Sequence, residues 1–479
     1  MKSEKMNQIE QLSAFVARAS YEDLSPEARR QIKVRVLDWL ACAIGAAGFE
    51  PMRRLRNQIE EFGGRPLATL IGGGMTSPDR AAFYNGALTQ YLGFNDSFLS
   101  AKAVCNPSDT ISAVLAASEY RGASGIEFLT ALAVAYQVQC RLCEVSHLGE
   151  GNIGHTTPGP YAIAAGVAKA LKLNQEQTAN AIAATAAANG ALKASHVDEI
   201  SRRKSILYSD SPFSVSQAVL LSMSSINDDR ETAEAEKYLL GAVTPNPGID
   251  WGKEDLEAVR RTIIKRFNAD IHSQSAIEAI LHLRERRPCH PDQIERIELD
   301  TFDAAYYLLG GGGEGTRYQV RTRAEAYHSL PYLLAVALLD GAVSPSQYKQ
   351  ERILREDVQS LMRKVVVRPD RGFSQSFPQE MPARVQIFLR DGQTLTKEKR
   401  DYEGFFTRPF PWERVVEKFK DLTVIQTGYE LGERIIEKAL DLEDIQVREL
   451  TELLAGVAKS AKVKAREKVF TYRKHKLAA

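Results

Sequence analysis

Apolar positions recur at helical spacing through the first two hundred residues, and the period then changes. Residues 26–46 (PEARRQIKVRVLDWLACAIGA) open on Pro26 and set Ile32, Val36, Leu37, Leu40 and Ile44 near one face, the pattern of a helix. Residues 67–72 predict a short strand, and 79–92 and 108–121 predict helices. The stretch from Ser124 to Val145 carries Glu127 three residues after Ser124 and is apolar nearly all round, which predicts a capped helix buried inside a larger helical body. Residues 158–171 and 177–193 are rich in Ala and Gly, whose small side chains allow helices to pack closely. Residues 211–224 predict another helix. Residues 225–252, with an Asp/Glu run and the segment TPNPGIDW, predict a solvated connection.

The texture changes after about residue 268. IERIELDTF (294–302), KVVVRP (364–369), ARVQIFLRDG (383–392) and TLTKEKRDY (394–402) alternate like half-buried strands, and Arg390-Asp391-Gly392 suits a hairpin turn. Helices at 273–286 and 323–340 interleave with them; Pro331 marks a kink or a helix start within the second. From Trp412 to Ala458 the helical pattern returns, and a basic tail follows. The fold class is therefore α+β, with a helical domain of residues 1–268 to which 405–479 return and a smaller α+β domain of 269–404. No internal repeat at a fixed period is visible.

Composition narrows the function classes. The chain has 479 residues, 26% of them charged, and a net charge of +1, which offers neither a nucleic-acid groove nor a membrane patch. The start lacks the apolar core of a signal peptide, and no apolar run reaches membrane-spanning length. Five scattered cysteines fit a reducing cytoplasm better than a disulfide framework.

Candidate chemistry begins in the stretch Gly93–Tyr120, a polar loop running into a helix start. Asn106 can cap, Pro107 suits the first helical position, and the free N–H groups of that turn would favour an anionic ligand near Ser97–Ser108; an ordinary capped helix is the alternative. Cys140 and Cys143 form a C-x-x-C with His147 four residues on and Cys105 upstream, but their place inside an apolar helix argues for small buried hydrophobes rather than a metal or iron–sulfur site. GGGGEG (310–315) lacks the Lys-Ser/Thr ending of a phosphate loop and predicts a flexible loop. His155 stands just before a Pro-bearing helix start and suits proton transfer, or a structural hydrogen bond. Lys204 is one of three adjacent cations, a carboxylate holder or part of a solvated turn. Lys265 and His272 precede a helix, and His328 and Tyr332 fall on one side of the 323–340 helix.

These stretches together resemble the MmgE/PrpD family, which includes 2-methylcitrate dehydratases, cis-aconitate decarboxylases and an epimerase of a small dicarboxylate. The resemblance covers nearly the whole chain and rests on FNDSFLS with NPSD, SGIEFLTALAVAYQVQCRL, GHTTPGPYAIAAGVAKAL, KRFNADIHSQSA, TRAEAYHSLPYLLAVALLDG, and MPARVQIFLRDG with DYEGFF. It implies a large helical domain built from both chain ends, a smaller α+β lid domain, a homodimer, and chemistry without a metal or cluster. It also implies that His155, Lys204 and Tyr332 are catalytic, with Lys265 on the substrate side, Ser97 where a Thr is usual, and one small di- or tricarboxylate as the common guest. Asp96, Asn106 and His272 complete the expected substrate-binding set.

Two positions depart from the family pattern. Where the first loop usually reads D-F-N-D and H-P-S-D, Gly93 replaces the first Asp and Asn106 the His; Asp96 and Asp109 remain. Removing water from a hydroxy-tricarboxylate needs a base, an acid and cations. Gly93 supplies no carboxylate, and Asn106 cannot exchange a proton near neutral pH. The resemblance thus implies a hydro-lyase first, then a decarboxylase or isomerase/epimerase, then a catalytically weakened relative acting as a binding or partner subunit.

Overall fold

The computed structural model describes residues 6–101, 103–146, 158–190, 210–223, 248–312 and 317–458. They fall into two compact units. The first takes the described residues up to Thr262 and from Pro411 onward; the second is Ile263–Phe410. The fold is α+β with a large helical body.

The first unit opens with α1 (Gln8–Arg18), α2 (Pro26–Ala46) and α3 (Glu50–Phe62). Ser25 caps α2 by accepting the Ala28 N–H, and the helix is buried on almost every side. A two-residue hairpin, β1 (Ala68–Thr69) with β2 (Met75–Thr76), leads to α4 (Pro78–Leu92). A second small hairpin, β3 (Phe98–Leu99) with β4 (Val104–Cys105), precedes a 3₁₀ turn, Pro107–Thr110, and α5 (Ile111–Arg121). The expected capping box starts α6 (Gly125–Val145), with Ser124 and Glu127 each satisfying the other's backbone N–H. α7 (Gly159–Ala170), α8 (Gln175–Gly190) and α9 (Asp210–Ser222) follow. The small residues act as expected: a Cβ on Gly166 of α7 would lie 2.8 Å from both Ala135 Cβ and Val114 Cγ2, so only Gly allows this approach to α6 and α5.

One local expectation fails here, and two helices, α1 and α3, were not singled out within a stretch read as mostly helical. The TPNPGIDW segment, expected to be solvated, ends in the core: Ile249 and Trp251 are 3% and 1% exposed, and the Trp251 ring packs 5.6 Å from Phe15. Most of the rest of that connection, residues 224–247, lies outside the described residues.

The second unit is a four-stranded sheet with helices. Its strands are β5 (Ile294–Thr301), β6 (Val365–Pro369), β7 (Ala383–Leu389) and β8 (Thr394–Lys399), in the order β6-β5-β7-β8. β5 and β6 are parallel and the other pairs antiparallel. Ile297, Leu299, Val385 and Ile387 form the inward face, which explains the alternation in the sequence. The Arg390–Gly392 turn closes the β7–β8 hairpin. α10 (Gln274–Arg286) agrees with the pattern. The predicted 323–340 helix is instead two helices, α11 (Arg323–Tyr327) and α12 (Leu330–Asp340), broken at His328 and Ser329. Ser329 caps α12 through the Tyr332 N–H, and Pro331 falls in the first turn, where its missing N–H costs nothing. His328 and Tyr332 are therefore not on one helix face. Residues 313–316 of the glycine-rich stretch lie outside the described residues; Tyr306–Gly310 before them forms a π-turn. α13 (Glu356–Met362) completes the labelled helices of this unit, after which the chain returns to the first unit with α14 (Trp412–Leu440, broken at Gly428) and α15 (Val447–Ala455).

Within the second unit, Glu278 of α10 gathers Lys399 at 2.7 Å, Arg266 at 2.7 Å and Arg408 at 3.2 Å, and accepts the Glu403 N–H. Burial alone would raise this carboxyl; the Lys399 ammonium, the Glu403 N–H and the Arg408 guanidinium outweigh it and bring its pKa down to about 2. A depressed carboxylate contributes stability that is complete above its unfolded value near 4.5 and lost as pH falls toward about 2. Glu278→Gln is expected to lower stability at neutral pH by about 2–3 kcal/mol and to flatten the acid limb across that window. Urea denaturation at a series of pH values checks both.

Candidate functional site

The first candidate cluster lies in the loop between α4 and α5 of the helical unit. α4 stops at Gly93, whose backbone is left-handed (φ 64°, ψ 28°) and whose N–H closes on the Gln90 carbonyl. Asp96 is 1% exposed and spends both oxygens internally: Oδ1 accepts the Ser108 N–H at 3.0 Å and Oδ2 accepts the Tyr136 hydroxyl at 2.8 Å. Burial, joined by the neighbouring Asp96 charge, pushes the Tyr136 phenol well above its ordinary pKa, so it remains a donor. Asn95 reaches Ser108 Oγ and Asp109 Oδ1 from the same loop. The β3–β4 hairpin then brings Ser97 and Asn106 together, with Ser97 Oγ donating to Asn106 Oδ1 at 3.1 Å. Gln139 of α6 donates to the Asn106 carbonyl at 3.5 Å.

This geometry corrects the expectation of an open, anion-binding helix start. The Asn106 side chain makes no cap; it takes the Ser97 hydroxyl instead. The first turn is 3₁₀, and its Ser108 N–H is already filled by the chain's own Asp96. Cys105, Cys140 and Cys143 form a buried apolar patch with Phe98, Ala103 and Ala258. Burial pushes the Cys105 and Cys140 thiols well up, which disfavours the thiolate a metal requires. Among the described residues no group of three or more His, Cys, Asp or Glu side chains is placed to hold a metal ion.

The second cluster lies in the α+β unit, on the segment 265–273 and around the α11–α12 break. Lys265 is 5% exposed, and its ammonium donates to the Tyr327 hydroxyl at 3.3 Å. Asp270 caps the 3₁₀ turn Ile271–Ser273 by accepting the His272 N–H at 2.9 Å, and the same oxygen lies 2.8 Å from His272 Nδ1. A carboxylate only accepts, so Nδ1 carries a proton and donates to Asp270, and Nε2 is the nitrogen left for exchange. Burial would raise the Asp270 carboxyl, but His272, with His328 beyond it, holds it well below the usual carboxylate range. The His272 ring lies about 6 Å from Phe302 and Phe377. His328 Nδ1 donates to the Ala324 carbonyl at 2.9 Å, which again leaves Nε2 as the basic nitrogen. Tyr332 is fully buried and donates to the Gln347 carbonyl, and its ring lies 6.4 Å from that of Tyr348. Burial raises the Tyr332 phenol, and acid–base work by this group would first have to break its bond to Gln347.

The structure therefore joins Ser97 with Asn106 in one unit, and in the other pairs Lys265 with Tyr327 and His272 with Asp270. His155 and Lys204 lie outside the described residues. Asp270, from the sequence alone a candidate to replace a lost group, is seated on His272, and Tyr327 was not anticipated as a site group. The D-x-H spacing of Asp270 and His272 was a usable signal, because Asp favours capping the turn that follows it; Tyr327 had none.

What the fold and clusters define is a two-unit α+β protein with imidazole, ammonium and phenol groups gathered at loop ends. Its sequence matches the MmgE/PrpD N-terminal domain over residues 10–247 and the MmgE/PrpD C-terminal domain over residues 267–443. The chain belongs to the MmgE/PrpD family. It is 23% identical to the 2-methylcitrate dehydratase of Salmonella typhimurium, covering 91% of this chain and 94% of that one. It is 25% identical to the cis-aconitate decarboxylase of Mus musculus, covering 89% of each. The Escherichia coli 2-methylcitrate dehydratase is similar at 24% identity, with 91% and 94% covered. No helix among the described residues is long and apolar enough to cross a membrane.

Because Gly93 ends α4 with a positive φ, a side chain there is strained whatever space surrounds it. Gly93→Ala is expected to cost about 1 kcal/mol and Gly93→Asn less, since Asn tolerates the left-handed region. Denaturant unfolding of the two variants measures the difference.

Proposed function

We propose that the protein is a lyase that eliminates water from a small hydroxy di- or tricarboxylate, in the manner named for its 2-methylcitrate dehydratase relatives, using its own side chains without a cofactor. The observation that carries this reading is the Asp270–His272 pair with Lys265 and Tyr327 on neighbouring segments of one unit. Elimination takes a proton from carbon and expels hydroxide, so it needs a base, an acid and cations on the carboxylates. His272, with Nδ1 fixed by Asp270, offers Nε2 for proton transfer. The Lys265 ammonium, beside the Tyr327 hydroxyl, suits a substrate carboxylate. His155 and Lys204 enter as a second proton-transfer group and a second carboxylate holder on the strength of the family resemblance. Ser97 and Asn106 offer neutral hydrogen bonds, and Asp96 serves by fixing that pair. Tyr332, with its hydroxyl given to Gln347, supports Tyr348 from below. We propose further that the working form is a cytoplasmic homodimer.

A second reading is favoured by one observation. Asn106 stands paired to Ser97 where a proton-exchanging His is usual, and the mouse relative of comparable similarity is named a decarboxylase. Loss of carbon dioxide requires one proton transfer, to the carbanion left behind, where loss of water requires two; isomerisation removes and returns a proton but has no hydroxide to expel. A non-catalytic binding subunit remains the outcome if neither chemistry occurs.

The test follows alkene absorbance with 2-methylcitrate, citrate and related acids, together with carbon dioxide release and entry of solvent deuterium. Alkene without carbon dioxide supports the hydro-lyase; carbon dioxide, or deuterium uptake without water loss, supports the second reading. Silence on every acid from a folded protein removes both. On the acid that is turned over, His272→Gln is expected to lower kcat by about 10²–10⁴-fold. Lys265→Met is expected to raise KM at least about tenfold with a smaller change in kcat, as for a group that binds ground and transition states alike.

A further inference from the structure

The loop that carries Asp96, Ser97 and Asn106 is held from beneath by a charge on a helix far along the chain. Lys418 of α14 is 8% exposed. Its Nζ lies 2.6 Å from Asp38 Oδ1 of α2, donates to the Phe94 carbonyl at 2.8 Å, and sits 3.8 Å from the centroid of the Phe94 ring. Phe94 is the first residue after the helix-ending Gly93 and stands two residues before Asp96. One ammonium thus engages a carboxylate, a carbonyl and an aromatic face, all at the root of the loop.

The charge arrangement gives this contact a purpose. Asp38 is 1% exposed, and burial pushes its carboxyl up while Lys418 draws it down; the charge on Asp96 is near enough to add to the upward push. Two carboxylates therefore share one buried neighbourhood, and two oxygens of Asp96 are already spent on Ser108 and Tyr136. Arg35 of α2, the other buried cation nearby, is committed to Thr262 and Gln31. Lys418 is the cation at the root of the loop, where the chain leaves α4; farther along, Arg261 lies over the Phe98 ring at 5.3 Å. A buried ion pair is seldom needed for stability, since apolar residues of like volume often replace it at no loss. A pair placed only for stability would also have no need of the Phe94 carbonyl.

We infer that Lys418 is a positioning residue for the 93–109 loop: through the Phe94 carbonyl and ring, and with Asp38 as counter-charge, it sets where Ser97 and Asn106 present their hydrogen bonds. This rests on the reading that the loop meets the substrate. The deciding variant is the full chain with Asp38→Leu and Lys418→Met together, which restores apolar packing and removes the ammonium. Its control is Asp38→Asn, which keeps Lys418 and an acceptor for it.

Amide hydrogen exchange and steady-state kinetics are read on both. In the double variant, exchange of the 94–99 and 104–109 amides is expected to rise about tenfold or more while α6 amides keep parental protection. KM for the acid the parent turns over is expected to rise at least about fivefold, with the pH profile of kcat unmoved. Asp38→Asn should keep both near parental values. Parental loop exchange in a folded double variant overturns the inference, and so does parental KM in an active one. If the double variant does not fold, Lys418→Met alone, read by the same exchange measurement, takes its place. A parent inactive on every acid removes the functional reading, and the exchange result still decides whether Lys418 holds the loop.

Discussion

A carboxylate taken out of water must find donors or lose its charge, and Asp96 finds two of different kind. The Ser108 N–H comes from the far end of the same loop, and the Tyr136 hydroxyl comes from the middle of α6. The first bond closes the loop on itself and the second fastens it to a helix buried over most of its length. With both made, the β3–β4 hairpin has little freedom, and Ser97 and Asn106 face each other as a consequence. Much of what is specific in the helical unit follows from this one group: the 3₁₀ start of the turn at Pro107, the uncapped Asn106, and the cation beneath Phe94.

The α+β unit uses the same device with a different result. Asp270 accepts a backbone N–H two residues on, as a turn-capping Asp does, but its oxygen also meets the ring of the residue it caps. Capping and tautomer selection become one interaction. The imidazole cannot turn over without losing the hydrogen bond, so its basic nitrogen is fixed by the backbone rather than by side-chain packing alone. Asp96 fixes a neutral pair and Asp270 fixes a titratable one. On the reading proposed above, that division assigns proton exchange, among the described residues, to the α+β unit.

The sequence disclosed whatever depended on short range. α2 has the bounds its pattern predicts, and α6 has its capping box, because both are set by residues three or four apart. The strands were visible because one face of the sheet is buried and the side chains alternate. α1 was missed although Asn7 and Glu10 form a capping box of the same kind, because its apolar stripe is short. The rest was hidden by distance along the chain. Asn106 has the right type and neighbours for a cap, and only Asp96, ten residues earlier, prevents it. Trp251 sits among turn formers, and partners far along the chain, Phe15 and Arg18 among them, hold it in the core. The break at His328 and Ser329 was half legible, since Pro331 announced a helix start without saying that the preceding helix ends before it. Lys418 carries no local signal at all, being one Lys on a charged helix until Phe94 and Asp38 are placed beside it.

The two departures from the family pattern acquire physical content from this geometry. At Gly93 the backbone is left-handed, so the position is under pressure to be Gly for helix termination, and a carboxylate there would carry a strain cost in this chain. Its absence is therefore explained by local backbone and does not by itself mean lost chemistry. Asn106 is different. Its backbone is extended and ordinary, and its side chain is matched to a hydroxyl partner that an imidazole ring would have to meet with another shape. Nothing in the backbone favours Asn there; the Ser97–Asn106 pair does. A neutral amide held by a neutral hydroxyl, beside a carboxylate with both oxygens hydrogen-bonded, leaves this pair without an acid or base suited to neutral pH. On the reading proposed above, proton transfer then falls to other groups, and among the described residues His272, held by Asp270, and His328, held by the Ala324 carbonyl, are imidazoles with a fixed Nδ1.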